Sequence, residues 1–263
     1  MSTHPTSGRI LTETQAQIGW VLLSNPSRHN ALTTEMMNEL HSVLRRFDED
    51  PATRVVVVRG DGDTSFAAGA DISEFASHQD SLDARKEFDQ TVDLLFGTLR
   101  EMRTPTVMMI HGHCLGAGLA IATSGDIRIA AEGSRFAVPA AKLGVGYPRA
   151  LTRALVGLIG PAHTADILYT GRTLTHEEAE RVGLVNRVVP AARLQAVVDE
   201  LVESISANAP LSIQAAKLSI AADASPALAG EADRIVALCI DSQDAVEGRR
   251  SFLEKRQPSF EGR

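Results

Sequence analysis

Two stretches of this sequence place small residues where a β-type run gives way to a helical one: Ala67-Ala-Gly-Ala-Asp71 and Leu115-Gly-Ala-Gly118. At such a corner the first amides of the helix have no carbonyl four residues back to bond. Without bulky side chains, an incoming oxygen can approach those amides closely. If two corners of this kind face each other, one carbonyl oxygen between them accepts two hydrogen bonds. That arrangement stabilises an enolate or a tetrahedral oxyanion, each donor being worth ~3–4 kcal/mol in the transition state. The same residues equally suit two tight strand-to-helix corners where glycine only relieves crowding, and at this point both readings stand. A dinucleotide cradle fits less well. Gly112, Gly116 and Gly118 lack the Gly-x-Gly-x-x-Gly spacing, and no acidic residue closes a following strand about 20 positions on. His111, His113 and Cys114 are metal-ligand types, but no fourth ligand is evident and no metal site is expected.

The elements that must hold these corners follow from the apolar pattern. Residues 106–110 form a short apolar run that reads as a buried strand, and Leu119-Ala-Ile-Ala122 favours helix. Upstream, residues 10–24 read as two strands, and Asn25-Pro-Ser-Arg-His-Asn30 is a turn by composition. From Thr34, Met36, Leu40, Val43, Leu44 and Phe47 recur at helical spacing until Asp50-Pro51. Residues 55–58 are four valines, which predicts a strand buried on both faces. Phe88, Val92, Leu95, Leu99 and Met102 mark one stripe of a long helix. Past the central strand–turn–helix, residues 126–131 and 136–138 read as strands. Residues 148–159 are helical, Gly160-Pro161 opens a further helix, and Thr175 with Glu178 fits a capping box. Residues 184–189 form another strand, and everything from Ala191 is helical, broken near Pro210, Pro226 and Ser242. Strands alternating with helices, then a helical tail, give an α/β core with a C-terminal α subdomain.

Composition sets outer limits. The chain has 263 residues, 44% hydrophobic and 22% charged, as in ordinary soluble globular domains. A net charge of −7 disfavours nucleic acid and membrane surfaces as partners, since both are polyanionic. No apolar run approaches the ~18 residues that span a bilayer, and the first residues carry no secretory pattern. Cys114 and Cys239 are the only cysteines, so a cytoplasmic protein with reduced thiols is expected.

Several motifs, in order along almost the whole chain, resemble the crotonase (enoyl-CoA hydratase/isomerase) superfamily. They are Asn25-Pro-Ser-Arg-His-Asn-Ala-Leu32, Phe66-Ala-Ala-Gly-Ala-Asp-Ile72, Gly112-His-Cys-Leu-Gly-Ala-Gly118 with Ser124-Gly-Asp-Ile127, Gly183-Leu-Val-Asn-Arg-Val-Val189, and Glu247-Gly-Arg-Arg-Ser-Phe-Leu-Glu-Lys-Arg256. The resemblance implies a spiral of ββα turns, with residues 1–200 as the acyl-CoA-binding core and 201–263 as a helical trimerisation region. A homotrimer or dimer of trimers is implied too, as is a coenzyme A thioester substrate, with no separate cofactor because coenzyme A is part of that substrate. Carried over residue by residue, the amides of Ala70 and Ala117 hold the thioester oxygen. Family members usually have glycine at the second position, and the Ala117 methyl narrows the hole slightly. The nucleotide portion falls near Arg28, His29, Ala31, Ala68, Asp71 and Ile72, with Phe252 and Lys255 of a neighbouring subunit closing over it. Arg28 and Lys255 suit its phosphates.

The chain departs from the family where acid–base chemistry is expected. The two glutamates of a hydratase fall at Ala120 and Ala140, and neither residue can move a proton. Losing one general acid or base typically costs 10²–10⁴-fold. Leu143-Gly-Val-Gly-Tyr147-Pro resembles the segment that places a tyrosine in the pocket of methylmalonyl-CoA decarboxylases, although those carry a histidine at the position of Ala70. Decarboxylation suits a site with an oxyanion hole and no base, so Tyr147 is the expected polar catalytic group, with Lys142 and Arg149 beside it for a substrate carboxylate. Hydration with Tyr147 or a histidine as base, and acyl-CoA binding without catalysis, are the alternatives.

Overall fold

In the computed structural model, which describes residues 8–71, 73–74 and 82–263 (backbone only for 82–85), strands of two sheets alternate along the chain. The order opens with β1 (Arg9–Gln15), β2 (Ile18–Ser24), α1 (Thr34–Glu49), β3 (Val55–Gly60), β4 (Ser65–Ala67) and α2 (Leu82–Glu101). Next come β5 (Thr106–Ile110), β6 (His113–Leu115), α3 (Ala117–Ser124), β7 (Ile127–Ala131), β8 (Arg135–Ala137) and α4 (Arg149–Thr170). The chain closes with β9 (Leu174–Thr175), α5 (His176–Arg181), β10 (Arg187–Val189), α6 (Leu194–Ser206), α7 (Pro210–Ala224), α8 (Ala229–Asp241) and α9 (Gln243–Glu254).

The large sheet runs β1-β2-β3-β5-β7-β10, parallel except for the β1–β2 hairpin, and the small one runs β4-β6-β8-β9. Each of β3, β5 and β7 is thus followed by a strand of the small sheet before the chain returns. Repetition of that step is the ββα spiral, a mixed α/β fold. The valines of β3 show why the core has two halves. Val56 and Val58 join α1, α2 and α3 on one side, and Val55 and Val57 meet Leu194, Val198 and Val202 of α6 on the other. A strand covered on both faces has no polar side to offer, hence the unbroken apolar run.

Several expected elements are corrected. The central turn contains β6, which three residues can form because each pairs with a neighbour in the small sheet. The strand expected over 184–189 is only Arg187–Val189, since Leu184 and Val185 bond back to Ala179 in the turn that ends α5. The two helices expected over 148–168 are both present within α4, parted by a kink at Gly160, whose φ of 73° is non-helical, and the second runs on to Thr170. Pro161 explains the kink, lacking the N–H that would continue the ladder. Residues after Glu254 are not helical. Asp244 accepts the amides of Glu261 (2.8 Å) and Gly262 (2.9 Å), and Glu247 accepts that of Ser259 (3.0 Å), so the tail is drawn back along α9. The capping box is present, Thr175 accepting from the Glu178 amide (3.3 Å) while Glu178 accepts from that of Thr175 (2.9 Å). Helix α6 spans the boundary expected at residue 200 and belongs by its packing to the core. Among the described residues no helix is long and apolar enough to cross a membrane.

Candidate active site

The first corner is built by β4 and the turn at residues 25–32. Asn30, fully buried in a left-handed conformation, donates from its side chain to the carbonyls of Asp61 (2.9 Å) and Ser65 (2.8 Å). This fastens the turn beside β4. The two segments then pair: the Ala68 amide donates to the His29 carbonyl (3.0 Å), Leu32 to Gly69 (2.8 Å), and Asp71 to Leu32 (2.8 Å). Because the carbonyl of Gly69 and the amide of Asp71 both face Leu32, the amide of Ala70 between them leaves from the opposite edge of the chain. Sequence reasoning gave Asn30 no role. Its signal was an Asn at the end of a polar turn, a residue that tolerates the left-handed region.

The second corner is the start of α3. Gly116 is its N-cap and offers no side-chain oxygen, so the first amides of the helix are uncapped. Among the described residues, neither Ala70 nor Ala117 spends its amide on a hydrogen bond. The two corners also touch. A β-carbon added to Gly116 would stand 3.5 Å from the Gly69 Cα, and one added to Gly69 would stand 3.8 Å from the Ala117 nitrogen. At Gly118 an added β-carbon would lie 2.8 Å from the Ala67 Cβ and 3.0 Å from the Ala67 carbonyl carbon, closer than packed atoms sit. The β4–β6 pairing carries a register irregularity between Ser65 and Ala67, just before this contact.

Of the residues expected at the nucleotide, the structure brings Arg28, His29, Ala31, Ala68 and Asp71 into one patch through the pairing of the 28–32 and 68–71 segments. Arg28 reaches across it to Asp71 (2.9 Å) and the Ser73 hydroxyl (2.8 Å). Burial alone would push the Asp71 carboxyl up, but the hydroxyl and amide of Ser73, with Arg28, hold it below the usual range. Ile72 lies outside the described residues. Phe252 and Lys255 sit at the exposed end of α9, with no hydrogen bond or ion pair to the patch among the described residues.

Ala120 is completely buried in the first turns of α3, and Ala140 is half-buried in the 3₁₀ turn Pro139–Leu143. Tyr147 packs on the same core, and its hydroxyl is buried with no hydrogen-bond partner. Burial, followed by the neighbouring Cys114 thiol, pushes its pKa above the ordinary value. Tyr147 is therefore a neutral phenol at physiological pH, able to donate a hydrogen bond but unsuited to act as a base. Lys142 and Arg149 are exposed. His113 meets His29 edge to face, ring centroids 6.4 Å apart. The Nε2 of His111 is buried and unpartnered. Burial, then the positive charge of Arg59, lowers its pKa. Among the described residues no group of three or more His, Cys, Asp or Glu side chains could hold a metal ion.

Comparison with known proteins matches this architecture. The family model for enoyl-CoA hydratase/isomerase fits residues 13–263. A crotonyl-CoA hydratase of Syntrophomonas wolfei is 32% identical over 255 residues, covering 95% of this chain and 97% of that protein. A probable enoyl-CoA hydratase of Mycobacterium bovis is 35% identical over 259 residues, covering 95% and 97%. The crystal structure of an enoyl-CoA hydratase/carnithine racemase from Magnetospirillum magneticum superposes with a TM-score of 0.90 at 32% identity, covering 100% of this chain and 97% of the other. With its ββα spiral, its paired small-residue corners and a family match over nearly its full length, the chain is an enzyme of the enoyl-CoA hydratase/isomerase family.

Proposed function

We propose that the enzyme binds an acyl-CoA thioester with its carbonyl oxygen between the amides of Ala70 and Ala117, and that its chemistry is an enolate-forming lyase step, such as decarboxylation, that needs no glutamate. The observation that carries this reading is the pair of unspent amides on touching corners, in a chain with alanine in place of a carboxylate at positions 120 and 140. In such a step the bond from Cα to the substrate carboxylate breaks and carbon dioxide leaves. The electron pair passes into the thioester, and the oxygen between the amides takes the charge. A proton from the Tyr147 hydroxyl, replaced from water, then completes Cα. An orphaned buried hydroxyl costs about 1–3 kcal/mol, a cost that a bound substrate supplying its partner would offset. The patch around Arg28 would carry the nucleotide phosphates. Exposed Ile220, Val236, Leu238, Ile240 and Leu253 on the last helices support a trimer or dimer of trimers, in which Phe252 and Lys255 close over a neighbouring site.

Hydration is the second reading, favoured by the names of the two hydratase relatives. It would need another base, and the neutral Tyr147 is a poor one. The test is mass spectrometry of enoyl-, malonyl- and hydroxyacyl-CoA thioesters incubated with wild type and Tyr147→Phe. A decarboxylated product that falls in the variant supports the proposal. Rapid water addition to crotonyl-CoA, unchanged in the variant, would replace it with hydration.

A further inference from the structure

Strand β7 buries a charge where its neighbours are apolar. Arg128 is 3% exposed, and no carboxylate lies within ion-pair distance of it among the described residues. Its guanidinium instead gathers backbone carbonyls: Nη1 donates to Gly125 (2.7 Å) and, at longer range, Ala122 (3.5 Å), and Nε donates to Leu184 (2.9 Å). Ala122 and Gly125 belong to the last turn and C-cap of α3, the helix whose first amide is that of Ala117. The nearest acid, Asp126, is engaged elsewhere, accepting from Lys217 (2.8 Å) and from the Thr106 amide (2.7 Å) and hydroxyl (2.9 Å). Lys217 and Asp126 pair with each other, and Arg128 has no ion-pair partner among the described residues.

Helix α3 has no charged residue of its own, and residues 118–123 are all buried. Its dipole is therefore poorly screened, and a cation at the carbonyl end neutralises the negative pole while leaving the amide end positive. We propose that Arg128 is a positioning residue for the reaction: it fixes the carbonyl end of α3 and makes the field at the Ala117 amide more favourable to a developing oxyanion. The inference rests on the reading of Ala117 as a donor to the thioester oxygen. Eight residues at 1.5 Å rise put the charge about 12 Å from the hole. At an effective dielectric of about 20, a unit charge at that distance is worth about tenfold in the oxyanion-forming step. Burial lowers the guanidinium pKa, yet an arginine stays protonated in a protein.

The test is the carbonyl stretch of bound crotonyl-CoA, labelled at the carbonyl carbon and read by infrared difference spectroscopy, with free coenzyme A affinity and melting temperature measured alongside. Wild type should shift the stretch to lower frequency. Arg128→Met should lose part of that shift and about tenfold in turnover while holding free coenzyme A as wild type does, and Arg128→Lys should keep both. A full shift in a folded Arg128→Met variant overturns the inference. If Arg128→Met does not fold, the lysine variant decides: retention of the shift supports the role of charge, and its loss overturns it. No carbonyl shift in wild type, despite binding, would remove the site reading and this inference with it.

Discussion

Gly118→Ala is the substitution that acts most directly on the proposed site. The new β-carbon would sit 2.8 Å from the Ala67 Cβ and 3.0 Å from the Ala67 carbonyl carbon. Carbon atoms prefer about 3.5 Å or more, so the two corners must part by roughly 0.5–1 Å. Main chain is involved on both sides, so no rotamer change relieves the clash. Overpacking of this kind costs about 1–3 kcal/mol, and replacing a helical glycine returns about 0.5–1 kcal/mol. The net loss, about 1–2 kcal/mol, should lower the melting temperature by a few degrees. The functional loss should be larger. Displacing one of two amides by about that distance should cost on the order of 10²-fold in turnover. Turnover of whichever thioester the wild type consumes, with calorimetric melting, is the assay. Gly97→Ala is the control, because its β-carbon meets nothing within 4 Å on α2. A folded Gly118→Ala enzyme within about twofold of wild-type turnover would refute the claim that these corners form the catalytic hole.

The remaining expectations are smaller. Arg28→Ala should weaken free coenzyme A binding about tenfold, the guanidinium being half exposed, and leave the thioester carbonyl shift intact; unchanged affinity by titration calorimetry would exclude it from the nucleotide patch. The lowered pKa of His111 means that the unfolded chain takes up its proton first. Its contribution to stability is then complete above about pH 6.5 and is lost as pH falls through the lower folded value. His111→Gln should flatten the fall in stability between about pH 7 and pH 5, and parallel denaturation curves for the two proteins would contradict this. Thr175→Ala removes the cap of α5 and should cost about 1 kcal/mol in urea unfolding; no change would mean that the box adds nothing beyond the fold.

Much of this protein was legible one residue at a time. The strand at 106–110, the helix ending before Asp50, the capping box and the breaks at Pro210, Pro226 and Ser242 all follow from periodicity, caps and proline, which act over a few residues. The two small-residue corners were visible for the same reason, as was the absence of a carboxylate at positions 120 and 140. What local pattern left open was whether the corners meet. That depends on Asn30 binding Asp61 and Ser65, and on Gly118 fitting under Ala67, contacts between residues 31 to 51 positions apart. Strand β6 was missed because three residues gain their hydrogen bonds only from the second sheet. Arg128 shows the division most clearly. The sequence presents a charge inside an apolar strand, which requires burial with partners, but only the tertiary fold supplies Leu184 and the end of α3 to receive it. Short-range propensity determined the pieces, and the long-range polar contacts, costly to leave unmade in a buried setting, decided how the pieces face each other.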